Sequence, residues 1–254
     1  MSISILLLGY KGYVGSALYK KLSKNFNYLV TGVDRQSCQE LKPQKWDIVI
    51  NCAMPSSRFS ANKDPAVDYI QTVEKTSNFY YWLQFDKFIQ ISTVSARTQL
   101  DTVYGRHKLA AESIIDQSKH LIFRLTATYD DSMTKGVVYD LIHDNPIYVA
   151  PESYYSFAPL DYAVKFISQN LDRTGVFEVG GKMGAPVALD EICRDLKIER
   201  KFVSDYVDRQ AVLDYDKNAP NSYGVVSYIK EKLIYKPFVP LENWHLYRTD
   251  EPGR

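Results

Sequence analysis

The first dense cluster of apolar positions is Ile3, Ile5, Leu6, Leu7 and Leu8, and it ends abruptly at Gly9. So short a run, closed by glycine, predicts a strand buried on both faces. Polar and glycine residues follow through Gly15, and then Val14, Leu18 and Leu22 recur at helical spacing until residues 23–27 close that helix. Residues 28–33 form a second apolar run ending at Asp34, and residues 46–53 a third, ending in the small pair Cys52-Ala53. After a loop at 54–57, Asp64 and Pro65 supply the N-cap and first position of a long helix through Val67, Ile70, Val73, Phe79 and Trp82. A strand at 88–92, a helix at 104–117 and a strand at 121–125 continue the series. Regular alternation with short connections predicts an α/β fold, a doubly wound parallel sheet with helices on both faces. Right-handed crossovers bring the strand C-termini, and any ligand, to one edge.

Beyond Tyr129 the pattern loosens. Helices are expected at 136–143, 159–171, 189–197 and 222–233, with strands at 148–151 and 175–179. The tail 235–254, with Trp244, His245 and its prolines, is expected to wrap a surface or fray.

Composition narrows the classes. A net charge of +1 over 254 residues provides no field toward nucleic acid or an anionic membrane. The N-terminal apolar run is too short for a signal peptide, and no stretch approaches the roughly 18 apolar residues a membrane span needs. Cys38, Cys52 and Cys193 are odd in number and widely spaced, so neither a disulfide framework nor a zinc site is expected. These features predict a cytoplasmic protein with no nucleic-acid or membrane partner. The 20 tyrosines are read as half-buried packing residues.

The turn Gly9-Tyr10-Lys11-Gly12-Tyr13-Val14-Gly15 joins the first strand to the first helix. Missing Cβ atoms permit a tight turn and a close approach to a ligand. The free N–H groups at the helix start face a pyrophosphate. Gly9, Gly12, Tyr13, Val14 and Gly15 are therefore candidate cofactor contacts. The spacing is GxxGxxG, against the GxGxxG of the usual dinucleotide fingerprint. Asp34 lies 19 residues beyond Gly15, where an acid accepts hydrogen bonds from the adenosine ribose and favours NAD over NADP. Arg35 beside it pulls the other way, because a guanidinium suits a phosphate. Cys52 and Ala53 are small enough for a flat ring such as adenine to pass close.

A second constellation follows. Thr93 closes the fourth strand, and Tyr104 and Lys108, four residues apart, share one helix face. A lysine near a phenol is expected to lower its pKa. A hydroxyl such as that of Thr93 can hold a substrate oxygen against that phenol. Such a set moves a proton on or off a sugar or alcohol oxygen while a hydride passes to or from a nicotinamide. A lone YxxxK is weak; the order along the chain strengthens it.

With these residues together, the chain resembles the extended short-chain dehydrogenase/reductases, NAD-dependent epimerases, dehydratases and reductases of nucleotide sugars. The resemblance spans Ile3 to about Leu196. It rests on Gly9/Gly12/Gly15, Asp34, the 47–53 strand, Ile91-Ser92-Thr93 and the stretch from Tyr104 to Glu112, with weaker echoes at Phe123-Arg124-Leu125 and 175–181. It implies a Rossmann-type domain over 1–254, in which residues from about 129 contribute a small substrate-binding lobe. Tyr104 would be the catalytic acid/base, Lys108 would bind the nicotinamide ribose and tune Tyr104, and Thr93 would orient substrate. It also implies a homodimer built on the helices near 64–83 and 104–117.

The departures carry information. Thr93 is followed by Val94-Ser95, so the Asp-Glu pair of the family's dehydratases is missing. An NAD(P)-dependent epimerase or ketoreductase of a sugar, in particular a nucleotide sugar, remains. Eleven positions separate Thr93 from Tyr104, which is short for the family. Thr126-Ala127-Thr128 stands where an asparagine commonly touches the nucleotide sugar. The alternative is a non-catalytic dinucleotide-binding sensor. No metal site is expected: His120, His143 and His245 have no partners at ligand spacing, and His107 reads as a surface or packing residue. Arg124 reads as structural, with substrate binding the open alternative, and Glu112 and Asp116 as solvated.

Overall fold

The computed structural model describes residues 2–213 and 216–234; the tail with Trp244 and His245 lies outside them. Six parallel strands form the central sheet. Five are β1 (Ile3–Leu8), β2 (Tyr28–Val33), β3 (Lys45–Asn51), β4 (Gln84–Thr93) and β5 (Leu121–Leu125), and the outermost is Gly175–Val179. Their spatial order is β2, β1, β3, β4, β5 and then Gly175–Val179. The chain leaves β1 toward β2 on one side and later enters β3 on the other. The C-terminal ends of β1 and β3 therefore flank the topological switch, where a doubly wound sheet opens a crevice.

The apolar run of β1 explains the two-sided burial. Ile5 and Leu7 point into one core and Leu6 and Leu8 into the other, and all four are buried. Helices α1 (Tyr13–Leu22) and Leu160–Gln169 cover the first face through Leu18, Leu22, Val164 and Ile167. The second face is covered from Phe79, Tyr80 and Ile115, residues of the helical run after Pro65 and the turn after helix Val103–Ser113. The expected doubly wound α/β sheet is the one observed.

Boundaries differ for local reasons. The long helix does start with Asp64 accepting from the Val67 N–H at 3.0 Å, with Pro65 at its first turn. It is continuous only as Pro65–Tyr69, a π-helical Ile70–Glu74 and Lys75–Trp82. The third strand stops at Asn51, and β4 begins earlier than expected because Gln84 and Phe85 pair with Lys45 and Trp46. The helix expected at 104–117 runs Val103–Ser113, and Asp116 instead closes a turn onto Ser118. No strand forms at 148–151; Ile147 makes a single bridge to Phe202. Two short helices carry no apolar period and escape the pattern, Arg58–Lys63, capped by the Ser57 hydroxyl, and Ser95–Thr98.

Beyond Tyr129 a second apolar core forms around Leu141, Tyr155, Phe157, Leu189, Ile192 and Ile229. It gathers helices Val137–His143, Leu189–Leu196 and Gly224–Ile234 with short strand pairs. Among the described residues no helix is long and apolar enough to cross a membrane.

One expectation is corrected outright. Glu112 is fully buried, not solvated. Its carboxylate receives two Arg124 nitrogens at 2.5–3.0 Å and the Ser92 hydroxyl at 2.6 Å. Helix Val103–Ser113 turns this face toward β4 and β5, whose residues Ser92 and Arg124 supply the counter-groups. Arg124 is structural, as its position suggested. Glu112→Ala leaves a buried guanidinium with its main counter-charge gone and is expected to lower stability by about 3–5 kcal/mol. Urea denaturation of wild type and variant checks this; an unchanged midpoint contradicts the anchoring role.

Candidate active site

The crevice at the β1/β3 switch is a cavity of about 930 Å3. Gly9 adopts φ +77°, and a Cβ there would lie 2.9 Å from Ala53 Cα. A Cβ on Gly15 would lie 2.2 Å from the Gly9 carbonyl oxygen. Both positions exclude a side chain by contact. Gly12 caps α1, its N–H bonded to the Gly9 carbonyl at 3.0 Å. Gly9, Gly12, Asp34, Arg35, Cys52 and Ala53 line the cavity, with Lys11 beside them. Gly15 and Val14 sit behind, against the turn and the core. Tyr13 points away toward Thr128 and Asp130, and burial pushes its phenol well above the usual range. Burial likewise pushes the Cys52 thiol up to about 12, which keeps it a neutral wall residue.

Asp34 is more occupied than sequence suggests. Its Oδ1 accepts from the Gln36 N–H at 3.1 Å and from the N–H and hydroxyl of Ser37 at 3.0 and 2.9 Å. Its Oδ2 pairs with Lys11, and these contacts, Lys11 foremost, hold the carboxyl well below the ordinary range. Arg35 and Lys75 line the same end; burial and then the Arg35 charge lower the Lys75 pKa. The tight glycine cradle, apolar wall and ribose-side carboxylate fit a dinucleotide.

The second constellation assembles beside it. Thr102 caps its helix by accepting from the Gly105 N–H at 3.0 Å, which places Tyr104 in the first turn. Lys108 follows one turn later, 2% exposed. Thr93 ends β4 and its hydroxyl bonds Ser95 at 3.2 Å. Thr93, Tyr104 and Lys108 are thus brought together.

Their electrostatics differ from the expectation that Lys108 lowers the Tyr104 pKa. Burial dominates and pushes the Tyr104 phenol well up. The charge opposing this is that of Arg58, with a smaller pull from the Thr93 hydroxyl; Asp68 and Asp208 push upward. The Lys108 ammonium lies 5.1 Å from the Tyr104 ring centroid and donates to the Pro55 carbonyl at 2.5 Å. Burial lowers its own pKa to about 7, against the opposing charge of Asp68. A lysine half-neutral at pH 7 is a weak tuner of its neighbour.

Residues missed from sequence frame this pair. Arg58 sits at the start of helix Arg58–Lys63, and Asp208 lies in an extended segment far along the chain. Asp68 is buried and its Oδ2 lies 2.7 Å from His107 Nδ1, so His107 packs as a hydrogen-bonded residue. A serine N-cap signal at Ser57 marked the Arg58 helix; no local signal marks Asp208. Thr126 gives its hydroxyl to the Ser156 carbonyl at 2.8 Å. His120 accepts from the Phe88 N–H, and His143 contacts the Tyr139 carbonyl, so both are structural. Among the described residues no group of three or more His, Cys, Asp or Glu side chains is arranged to hold a metal ion.

No family model matches the chain, and no curated protein matches it. Solved structures do. A UDP-glucuronic acid 4-epimerase from Bacillus cereus, in complex with NAD, aligns with TM-score 0.69 and 20% identity over 90% of this chain and 99% of its own. A UDP-glucose 4-epimerase from Thermotoga maritima aligns with TM-score 0.69 and 17% identity over 92% and 98%. A dTDP-4-dehydrorhamnose reductase from Clostridium acetobutylicum aligns with TM-score 0.68 and 18% identity over 90% and 99%. The chain therefore has the fold of nucleotide-sugar epimerases and reductases, the fold its glycine turn and YxxxK helix led one to expect.

Proposed function

We propose that the chain is an NAD(P)-dependent oxidoreductase of the extended short-chain dehydrogenase/reductase type that epimerises or reduces a sugar, a nucleotide sugar in particular. The carrying observation is the meeting of Thr93, Tyr104 and Lys108 beside a cavity whose turn excludes any side chain at Gly9 and Gly15. The similar structures that carry NAD or nucleotide sugars support the same reading.

Gly9, Gly12 and the start of α1 hold the pyrophosphate, Asp34 and Arg35 face the adenosine ribose, and Cys52 and Ala53 wall the adenine. Lys108 reaches the nicotinamide ribose. The bound dinucleotide supplies or accepts the hydride. The protein's task is the proton. Because burial keeps the Tyr104 phenol protonated at neutral pH, it is equipped to donate to a carbonyl oxygen. Thr93 orients that oxygen. In the reverse sense, removing a hydroxyl proton relies on the charge of Arg58 to stabilise the phenolate. Ser95 is tied to Thr93 and Val94 is fully buried, so no carboxylate follows Thr93 to drive loss of water. The lobe beyond Tyr129 covers the sugar. The reading places the enzyme in the cytoplasm.

On the helical run after Pro65, Val67, Tyr69 and Tyr81 are exposed away from the residues that line the cavity, and a homodimer formed on this run would cover them. Val67→Glu with Tyr81→Glu is expected to convert a dimer to monomer in light-scattering chromatography; a wild-type monomer discards the dimer.

Tyr104→Phe should lower turnover by about 10²–10⁴-fold. Its NADH affinity, read by fluorescence, should stay within about twofold, since the phenol's contribution is to proton transfer. Persistent activity in this variant overturns the assignment, and failure of wild type to bind either NADH or NADPH overturns the cofactor reading.

Lys108 also gives a pH test. Its folded pKa lies near 7, below the ordinary 10.5, so the folded state resists the charged form. The unfolded chain binds the extra proton between these values, and Lys108's destabilising effect is full below about pH 7 and fades as pH rises toward 10. The stability advantage of Lys108→Met over wild type should therefore shrink from pH 6 to pH 9 in denaturant titrations. A constant or growing difference rejects the buried-lysine assignment.

A further inference from the structure

A second cavity, of about 710 Å3, opens at the far edge of the sheet. Among the described residues, none that lines it also lines the dinucleotide crevice. It is bounded by helix Leu160–Gln169, the turn after that helix, the outermost strand Gly175–Val179 and residues 216–218. That strand stands three places beyond β3 in the sheet, about 14 Å at the usual strand spacing. A volume of this size accommodates a small molecule as large as a nucleotide.

The floor of the cavity is aromatic. Tyr162 and Phe166, four apart on one helix face, have ring centroids 6.2 Å apart, and Phe177 comes from the strand. All three pack on the sheet core yet are only half-buried, so part of each ring faces the cavity. The carboxylates at its wall are engaged. Glu178 holds Arg97 through two bonds of 2.7 and 2.8 Å. Asp216 receives the Tyr162 hydroxyl at 2.7 Å on Oδ2 and the Asn218 N–H at 3.0 Å on Oδ1, which fixes it near the start of the helix. The cations are left over. The Arg173 guanidinium lies 3.7 Å from the Phe177 centroid, and this stacking holds an otherwise flexible side chain in place. Among the described residues no carboxylate pairs with Arg173 or with Lys165. A ligand that matches this wall has flat apolar faces, hydroxyl or N–H donors for Asp216, and negative charge for the two cations. An inorganic anion leaves the aromatic floor bare, and a neutral sugar leaves the cations unmatched. A nucleoside phosphate satisfies all three demands: the base stacks, the ribose donates and the phosphate meets Lys165 and Arg173.

We infer that this cavity is a second ligand site, separate from the dinucleotide crevice, that binds a nucleoside phosphate with its base on Tyr162 and Phe166 and its phosphate between Lys165 and Arg173. The inference goes beyond the sugar-oxidoreductase reading and does not depend on it.

Equilibrium dialysis of the full chain with radiolabelled AMP and UMP, in excess NADH to fill the crevice, tests the site. Wild type should take up at least one of the two nucleotides saturably at this cavity. Lys165→Glu with Arg173→Glu should weaken that uptake more than about tenfold while leaving NADH affinity unchanged. Any UMP held near Tyr104 is retained by this variant, so only the equivalent bound at the second cavity is lost. Both side chains are exposed and the variant is expected to fold. If its melting temperature falls, Lys165→Gln with Arg173→Gln takes its place with the same expectation. Inorganic phosphate and the unphosphorylated nucleosides, as competitors, should each be more than about tenfold weaker than the nucleotide. Three results overturn the inference: no saturable uptake of either nucleotide, uptake unchanged in the charge variants, or phosphate competing as well as the nucleotide. Failure of wild type to bind NADH contradicts the proposed function instead. The comparison of wild type with the variants then still reads this cavity, because nucleotide entering an empty crevice does not meet Lys165 or Arg173.

Discussion

A single stripe of one helix sets the terms for the rest of the molecule. Tyr104, Lys108 and Glu112 follow each other at intervals of four on helix Val103–Ser113, and all three are buried. Residues so spaced lie above one another on the same face. An unpaired charge inside a protein costs several kcal/mol, so the stripe is tolerable only where the sheet presents counter-groups. At its C-terminal end it does: Glu112 receives Arg124 from β5 and Ser92 from β4. That bidentate contact fixes the rotation of the helix about its axis. Once the rotation is fixed, Tyr104 two turns earlier must face the end of β4, where Thr93 stands. A structural ion pair at one end thereby aims the phenol at the other.

The middle of the stripe is treated differently. Lys108 donates to the Pro55 carbonyl and feels the field of Asp68, whose own close partner is His107. The compensation is incomplete, and the lysine charge becomes marginal near neutrality. Tyr104 has no donor or cation strong enough to offset burial, so it stays a phenol. The consequence is a proton donor beside a cation of adjustable charge, with the permanent cation Arg58 approaching from a separate element. The division fits chemistry in which one oxygen must be protonated and deprotonated in turn.

Much of this was legible in the chain. The buried β1 run, the GxxGxxG turn and the Asp64-Pro65 helix start each express local physics, and each reappears where the pattern put it. Tyr104 and Lys108 were legible as a pair because helical spacing alone puts them on one face. Their electrostatics were not, since a pKa depends on burial that only tertiary packing decides. Glu112 shows the same limit: a glutamate on a helix with mixed polarity reads as solvated unless one knows that Arg124, 12 positions later, lies in the adjoining strand. Arg58 and Asp208 are further apart still, and neither belongs to a motif. The ends of strands and helices shifted wherever pairing partners, as Lys45 with Gln84, outweighed local apolar pattern.

The lobe and the sheet are joined through buried charge as much as through apolar contact. Arg97 grips Glu178 of the outermost strand with two bonds of 2.7 and 2.8 Å and gives a further one to the Ala211 carbonyl. Glu178 in turn accepts from the Leu213 N–H. Asp208 takes donors from Gln99 near the sheet edge and Tyr155 in the lobe. The segment 208–213 is therefore clamped from both sides by groups that lose strongly if either partner moves away. Charge pairs of this kind are directional, and apolar packing is not. They hold segment 208–213 in one orientation against Arg97, Gln99 and Glu178. With that segment so held, Asp208 meets Arg58 at 3.1 Å in a preset arrangement, and the charge that opposes burial at the Tyr104 phenol is fixed with it.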